Sequence, residues 1–302
     1  MRRREECRMF ELVQVNEKTY YIESPAKIGV YVADGTDVYL IDSGNDKDAG
    51  RKIRKLLDEK GWTLKGILNT HSNADHIGGN DYLQRQRKCK VFTGGIETAF
   101  TKYPILETSF LYGGYPCKDL RHKFLLAAAS DAVDFSDADF PKDIEVIPLP
   151  GHFFDMVGFR TPDNTVFLAD CLSSIENLDK YAVSFIYDVA AYLKTLDAVE
   201  AMEGDVFVPS HAAAGSKEDM QKLVQANRDK IYEIKAYLLS LCQEPMIFEH
   251  ILQKVFDRYQ LVMTIEQYVL VGSTIRSYLS WLRDTGEMTY SFEEHLMVWK
   301  TV

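Results

Sequence analysis

Four short passages of this chain run from an apolar segment into a turn and end on side chains that can ligate a metal. Gly66-Ile67-Leu68-Asn69 leads into Thr70-His71-Ser72-Asn73-Ala74-Asp75-His76, and Leu149-Pro150-Gly151 leads into His152. Phe167-Leu168-Ala169 leads into Asp170, and Val208-Pro209-Ser210 leads into His211. The C-terminal end of a strand can aim several nitrogen and oxygen donors at one point. A fold that uses these donors together must therefore bring distant strand ends to one place. Four of the seven histidines fall at such positions, whereas His122, His250 and His295 do not.

The residue types suggest what such a point could do. A divalent metal lowers the pKa of bound water towards neutrality, so hydroxide becomes available without a strong base. That chemistry needs neutral imidazoles and carboxylates with one coordination position left open. The candidate ligands are His71, Asp75, His76, His152, Asp170 and His211. Taken singly, each reads as readily as a polar residue at a loop entrance. In order and in shared context, they point to a metal.

The rest of the chain supplies a scaffold. Residues 9–42 read as a strand meander with a hairpin turn at Asp34-Gly35. Residues 46–60 read as a helix with Ile53, Leu56 and Leu57 on one face and Gly61 as its C-terminal cap. A short buried strand at 64–68, a helix at 79–87 and a strand at 90–92 follow, an alternation that suggests helices packed over sheets. Strands are expected again at 143–147, 165–169 and 205–208, with a helix at about 186–202. A long helix is expected at 216–242, with Ser216 as N-cap and Asp219 three residues on. Residues 101–140 have no sustained period and read either as a surface excursion with a short helix or as a lid insertion. Gln243-Glu244-Pro245 marks a boundary between a domain at 1–243 and a smaller unit at 244–302. Three helices (247–258, 265–270 and 273–283) and a hairpin near 288–299 make the smaller unit winged-helix-like.

A net charge of −10 suits neither a generic nucleic-acid surface nor an anionic membrane, since both need clustered Lys and Arg. Five scattered cysteines (7, 89, 117, 171 and 242) with no CxxC pair read as reduced thiols. The charged start Met1-Arg2-Arg3-Arg4-Glu5-Glu6 is followed by no apolar signal core, and no stretch approaches the ~20 apolar residues of a membrane span. A cytoplasmic location is the expectation.

His71-Ser72-Asn73-Ala74-Asp75-His76, followed in order by His152, Asp170 and His211, resembles the metallo-β-lactamase superfamily over roughly residues 9–242. The resemblance implies an α+β fold, an αββα four-layer sandwich with a binuclear site at one edge, and hydrolysis as the commonest activity. It also implies a first metal site of His71, His152 and Asp170, and a second of Asp75, His76 and His211 with Asp170 as a shared bridge. Asp42, in Leu40-Ile41-Asp42-Ser43-Gly44, matches the family's buried carboxylate that orients ligands; a turn former before Gly44 is the alternative. One position departs: Asn73 stands where the family has a histidine ligand. An amide oxygen is a weak, neutral donor for zinc, so the second site is expected to fill more tightly. One or two divalent ions are implied, zinc first, with iron or manganese open.

The leading expectation is a metal-dependent hydrolase of a small ester, thioester, lactone or amide, acting by metal-bound hydroxide, with Asp75 orienting the nucleophile. The alternatives are a phosphodiesterase or nuclease of the same fold and a non-catalytic metal-binding sensor or scaffold. Phe153 and Phe154 read as pocket wall or as core. The 245–302 segment carries five Lys/Arg against seven Asp/Glu, which favours homo-oligomer contact or packing on the pocket rim over nucleic acid.

Overall fold

The computed structural model describes residues 9–302, so Cys7 and the charged N-terminal residues lie outside it. Seven strands lie side by side in chain order: β1 (Leu12–Gln14), β2 (Thr19–Ile22), β3 (Ile28–Asp34), β4 (Asp37–Ile41), β5 (Thr63–Leu68), β6 (Lys90–Thr93) and β7 (Ala132–Asp134). The first four form the expected antiparallel meander. From β4 onward the pairing is parallel, because helices separate the strands. These helices are α1 (Lys47–Lys60), α2 (Ala74–Ile77), α3 (Asn80–Arg87), α4 (Glu97–Lys102) and α5 (Ile105–Tyr112). A second sheet, in the order β11-β10-β9-β8, holds β8 (Glu145–Pro148), β9 (Val157–Arg160), β10 (Thr165–Ala169) and β11 (Val206–Pro209). Between β10 and β11 run α6 (Ile175–Tyr181) and α7 (Val189–Ala201).

Alternation along the strands makes the layers. Leu40, Ile67 and Val91 point outward to pack with Ile53, Leu57 and Leu83 of α1 and α3. Their neighbours Ile41, Leu68 and Phe92 point inward to meet Phe159, Phe167 and Val208 of the second sheet. Val166, Leu168 and Phe207 then face Leu196 of α7 and Val224 of α8 (Lys217–Leu241). The period of two thus gives the four layers of an αββα sandwich. The capping box expected at α8 is present: Ser216 accepts from the Asp219 backbone, and Asp219 accepts from that of Ser216.

Beyond α8 come β12 (Met246–Ile247), α9 (Phe248–Tyr259), α10 (Ile265–Asp284), β13 (Met288–Glu293) and β14 (Leu296–Thr301), with the three strands ordered β12-β14-β13. The expected break at 271–272 is absent. One continuous α10 replaces the two helices anticipated there. Gly272 costs a helix about 1 kcal/mol, but each fully buried large apolar side chain returns roughly 1.5–3 kcal/mol. Val269, Val271, Ile275, Tyr278, Leu279 and Leu282 are all buried along α10, so packing outweighs propensity. The same apolar cluster runs from Leu196 and Val224 through Leu238 to Ile251, Val255 and Ile275, so the C-terminal unit shares a core with the sandwich.

Candidate metal centre

The site lies at one edge of the sandwich, where β4, β5, β8, β10 and β11 end. The chain leaves β4 through Asp42 at φ 65°, a left-handed conformation uncommon for a residue other than glycine. Asp42 is buried there, and its carboxylate organises the loop after β5. Oδ1 accepts from the Thr70 backbone N–H at 2.9 Å and the Asn69 amide at 3.3 Å. Oδ2 accepts from Thr70 Oγ1 and from His76 Nδ1, each at 2.8 Å. Asn73 is the N-cap of α2, which carries Asp75 and His76 in its single turn. Close packing of that turn requires Gly78, where a Cβ would lie 2.2 Å from the Asn45 carbonyl carbon. Gly151, at φ 123°, lets the chain pass against α7 before His152: a Cβ there would sit 2.3 Å from the Tyr192 nitrogen.

The four histidines share one arrangement. His211 Nδ1 donates to the Pro25 carbonyl at 2.8 Å, and His152 Nδ1 donates to the Phe185 carbonyl at 3.0 Å. His76 Nδ1 donates to Asp42, and His71 Nδ1 donates to Thr70 Oγ1 at 3.0 Å, whose own hydrogen goes to Asp42. Each outer partner fixes the hydrogen on Nδ1 and leaves Nε2 facing the centre.

The inward atoms form two groups that could hold a metal ion. Donors from Asp75, His76, Asp170 and His211 lie within 4.8 Å of one another, as do those from His71, His152 and Asp170. His211 Nε2 is 3.1 Å from Asp170 Oδ2 and 3.3 Å from Asp75 Oδ2. His76 Nε2 is 3.2 Å from Asp170 Oδ1, and His152 Nε2 is 3.7 Å from Asp170 Oδ2. Tetrahedral bonds of about 2.0–2.1 Å set donors about 3.3 Å apart, so the spacing fits a cation. His71 Nε2, His76 Nε2 and Asp170 Oδ1 are buried with no well-aligned hydrogen-bond partner. Leaving three such atoms unmatched is costly, and an ion would match them. Asp170 reaches both groups, and the structure brings all six expected residues together.

The electrostatics agree. Burial opposes a charged His76, but the carboxylates of Asp170, Asp75 and Asp42 outweigh it and hold its pKa well above the ordinary value. Burial likewise opposes a charged His211, which Asp170 and Asp75 nevertheless push up to about 10. Burial also works against ionised Asp75 and Asp170. His76 and His211 are strong enough to hold both below the carboxylate range. His71, by contrast, is pushed well down by burial and by His76. The Asp75/Asp170 side of the centre demands positive charge.

A cavity of about 510 Å³ opens beside His152, Asp170 and His211. Leu172, Val183, Phe185, Leu270 and Val271 give it an apolar wall, and Ser173, Ser184, Asn177, Tyr181 and Gln267 add polar groups. Among the described residues, no Lys or Arg lines it. Gln267, Leu270 and Val271 belong to α10, so the C-terminal unit forms part of the rim. Phe153 is fully buried, and Phe154 stacks on Tyr187 with centroids 3.9 Å apart. Both are core, and among the described residues Phe185, Tyr181 and Tyr192 are the Phe and Tyr side chains that line the cavity. Residues 101–140 contribute nothing to its lining. They pack Leu120 and Leu125 against Val269 of α10, and they send Glu107 to Asn73. Glu107 and Gln267 escaped sequence reading because neither carries a local motif.

Residues 27–211 match the metallo-beta-lactamase superfamily. The chain belongs to that superfamily. The family implies a divalent metal, commonly zinc. A hydroxyacylglutathione hydrolase of Nitrobacter hamburgensis is 34% identical over 124 residues, which are 41% of this chain and 40% of that relative. The chain thus spans about two-fifths of the length of that curated relative. A metallo-beta-lactamase family protein from Thermus thermophilus superposes with a TM-score of 0.70 at 16% identity, covering 94% of this chain and 99% of the other. A beta-lactamase domain protein from Burkholderia ambifaria gives 0.73 at 15% identity, covering 99% and 96%. These two superpositions bear on the fold alone. No helix among the described residues is long and apolar enough to cross a membrane.

Proposed function

We propose that this chain hydrolyses a small acyl substrate, an ester, thioester or lactone, at a metal centre held by His71, Asp75, His76, His152, Asp170 and His211. The observation that carries the reading is the convergence of those donors on two points beside a cavity that, among the described residues, no Lys or Arg lines. When bound, a divalent ion such as zinc supplies acidified water and polarises the acyl carbonyl. Asp75 is the open carboxylate of the cluster, its side chain 35% exposed against 9% for Asp170. With its pKa held low, Asp75 stays ionised, and its carboxylate can orient an attacking water. Asp42 acts through Thr70 and His76, fixing their geometry. The apolar wall around Phe185 and Leu270 takes the acyl chain and keeps bulk water from it, while Gln267 and Tyr181 offer polar contacts to the remainder.

The name of the Nitrobacter relative favours a thioester. The lining favours a neutral acyl group over a phosphodiester, whose charge would call for Lys or Arg. The test is to assay purified protein with acyl thioesters, including a hydroxyacylglutathione, simple esters, lactones and bis(p-nitrophenyl) phosphate. Each is run before chelation, after it, and after return of zinc, manganese or iron. Acyl hydrolysis that is lost on chelation and restored by metal supports the reading; faster phosphodiester turnover, or turnover indifferent to chelation, overturns it.

A further inference from the structure

By residue type the His71/His152/Asp170 group lacks one donor, and the fold provides a replacement. Building on the metal-centre reading above, we propose that Asn73 Oδ1 is the fourth donor of this first site and that Glu107 is the positioning residue that holds it there. An asparagine at a helix N-cap normally accepts from the helix backbone. Asn73 occupies that position, at φ −60° and ψ 146°, yet its side chain makes no capping bond. It turns into the centre instead. Asn73 Nδ2 donates to Oε1 of the buried Glu107 at 2.7 Å, and Oδ1 sits 3.1 Å from His152 Nε2.

Two features of this arrangement point to a cation. His152 gives its Nδ1 hydrogen to the Phe185 carbonyl, so a neutral ring presents a lone pair at Nε2 to the lone pairs of Asn73 Oδ1. Two acceptors facing each other at that range repel, and an ion between them turns repulsion into ligation. The 3.1 Å from Oδ1 to His152 Nε2 and the 3.7 Å from Asp170 Oδ2 to the same atom also bracket the donor spacing of about 3.3 Å in a tetrahedral site. Glu107 decides which end of the amide faces inward. Glu107 Oε1 accepts from Nδ2, and that hydrogen bond leaves Oδ1 turned to the centre. The same hydrogen bond draws electron density towards Oδ1 and strengthens a donor that is otherwise weak. The site then has two imidazoles, a shared carboxylate and an oriented amide oxygen, still weaker than its neighbour with two carboxylates.

The test is an equilibrium titration of the metal-stripped chain with zinc against a chromophoric chelator, with thermal melts of each variant. Wild type should show two binding steps. Asn73→Ala and Glu107→Leu should each weaken the second, weaker step by roughly 10–100-fold and leave the tighter step unchanged. Glu107→Gln, which can keep an oxygen acceptor for Nδ2, should restore wild-type affinity. An unchanged weaker step in both Asn73→Ala and Glu107→Leu overturns the proposal. If wild type binds a single ion, that ion fills the tighter site and the first site stays unfilled, which overturns the proposal while leaving the acyl-hydrolase reading intact. Wild type that binds no zinc overturns both. Should the variants fail to fold, a zinc-loaded structure of the wild type decides: Oδ1 within about 2.0–2.3 Å of an ion supports the assignment, and Oδ1 out of contact with any ion contradicts it.

Discussion

The two halves of the centre share one candidate ligand, Asp170, and differ in the rest of their donors. The half around Asp75, His76 and His211 holds two carboxylates, draws protons onto its histidines and meets the cavity at Asp170 and His211. The half around His71 and His152 has one shared carboxylate and a low-pKa, fully buried His71, and it lies against the amide of Asn73. The first half is built on charge and the second on orientation. Negative charge alone makes the Asp75 side attract a dication. The His71 side depends on hydrogen bonds from outside the cluster (Thr70, the Phe185 carbonyl, Glu107) to keep neutral donors aimed inward.

Removing what the halves share should have the largest effect. Asp170→Asn takes the bridge from both and should abolish tight binding of either ion, with loss of several kcal/mol of transition-state stabilisation, roughly 10³-fold in kcat. Metal analysis by mass spectrometry checks it; retention of two ions would break the claim of a shared bridge. Asp42→Asn should come next, lowering zinc affinity roughly 10–100-fold, since both His76 and, through Thr70, His71 lean on that carboxylate. An effect on only one binding step would show that the halves are not tied through Asp42. A smaller effect is expected at the rim: Gln267→Leu should raise KM several-fold for substrates with a polar leaving group and leave metal content unchanged, as measured by steady-state kinetics.

The smallest expected effect is on stability alone. Glu97 sits behind the His71 half, accepting from the Ser72 and Asp155 backbone N–H groups, each at 3.0 Å, and burial raises its pKa from 4.5 to about 7. The folded chain therefore retains a proton that the unfolded chain has released. The stabilisation is complete below about pH 4.5 and lost as pH rises through about 7. That amounts to a change on the order of 1–3 kcal/mol across the window. Thermal melts of metal-free protein should fall across this range in wild type and more gently in Glu97→Gln. Parallel profiles would contradict the assignment.

What was legible in the sequence was whatever carries its signal locally. His71, Asp75, His76, His152, Asp170 and His211 each follow closely on an apolar segment, and the sandwich follows from the alternation at Leu40-Ile41 and Ile67-Leu68. The continuity of α10 was not legible because Gly272 reads as a break, and only the buried face from Val269 to Leu282 overrides it. Strands β7 and β9 were missed as well: β7 has only three residues, and in β9 Gly158 and Arg160 interrupt the apolar run. Glu107 stands 34 residues from the asparagine it holds, and Gln267 reaches the cavity from another unit. Their roles arise from packing that no local spacing encodes. Asn73 was visible as a departure, but its consequence depends on the neighbours that aim it.

The most direct measurement is anomalous diffraction on either side of the zinc edge, from crystals of wild-type protein soaked in zinc. A strong peak is expected between Asp75, His76, Asp170 and His211, with a weaker one between His71, Asn73, His152 and Asp170. Ordered side chains with no peak within ~2.5 Å of either His76 Nε2 or His211 Nε2 would contradict a metal centre at this edge of the sandwich.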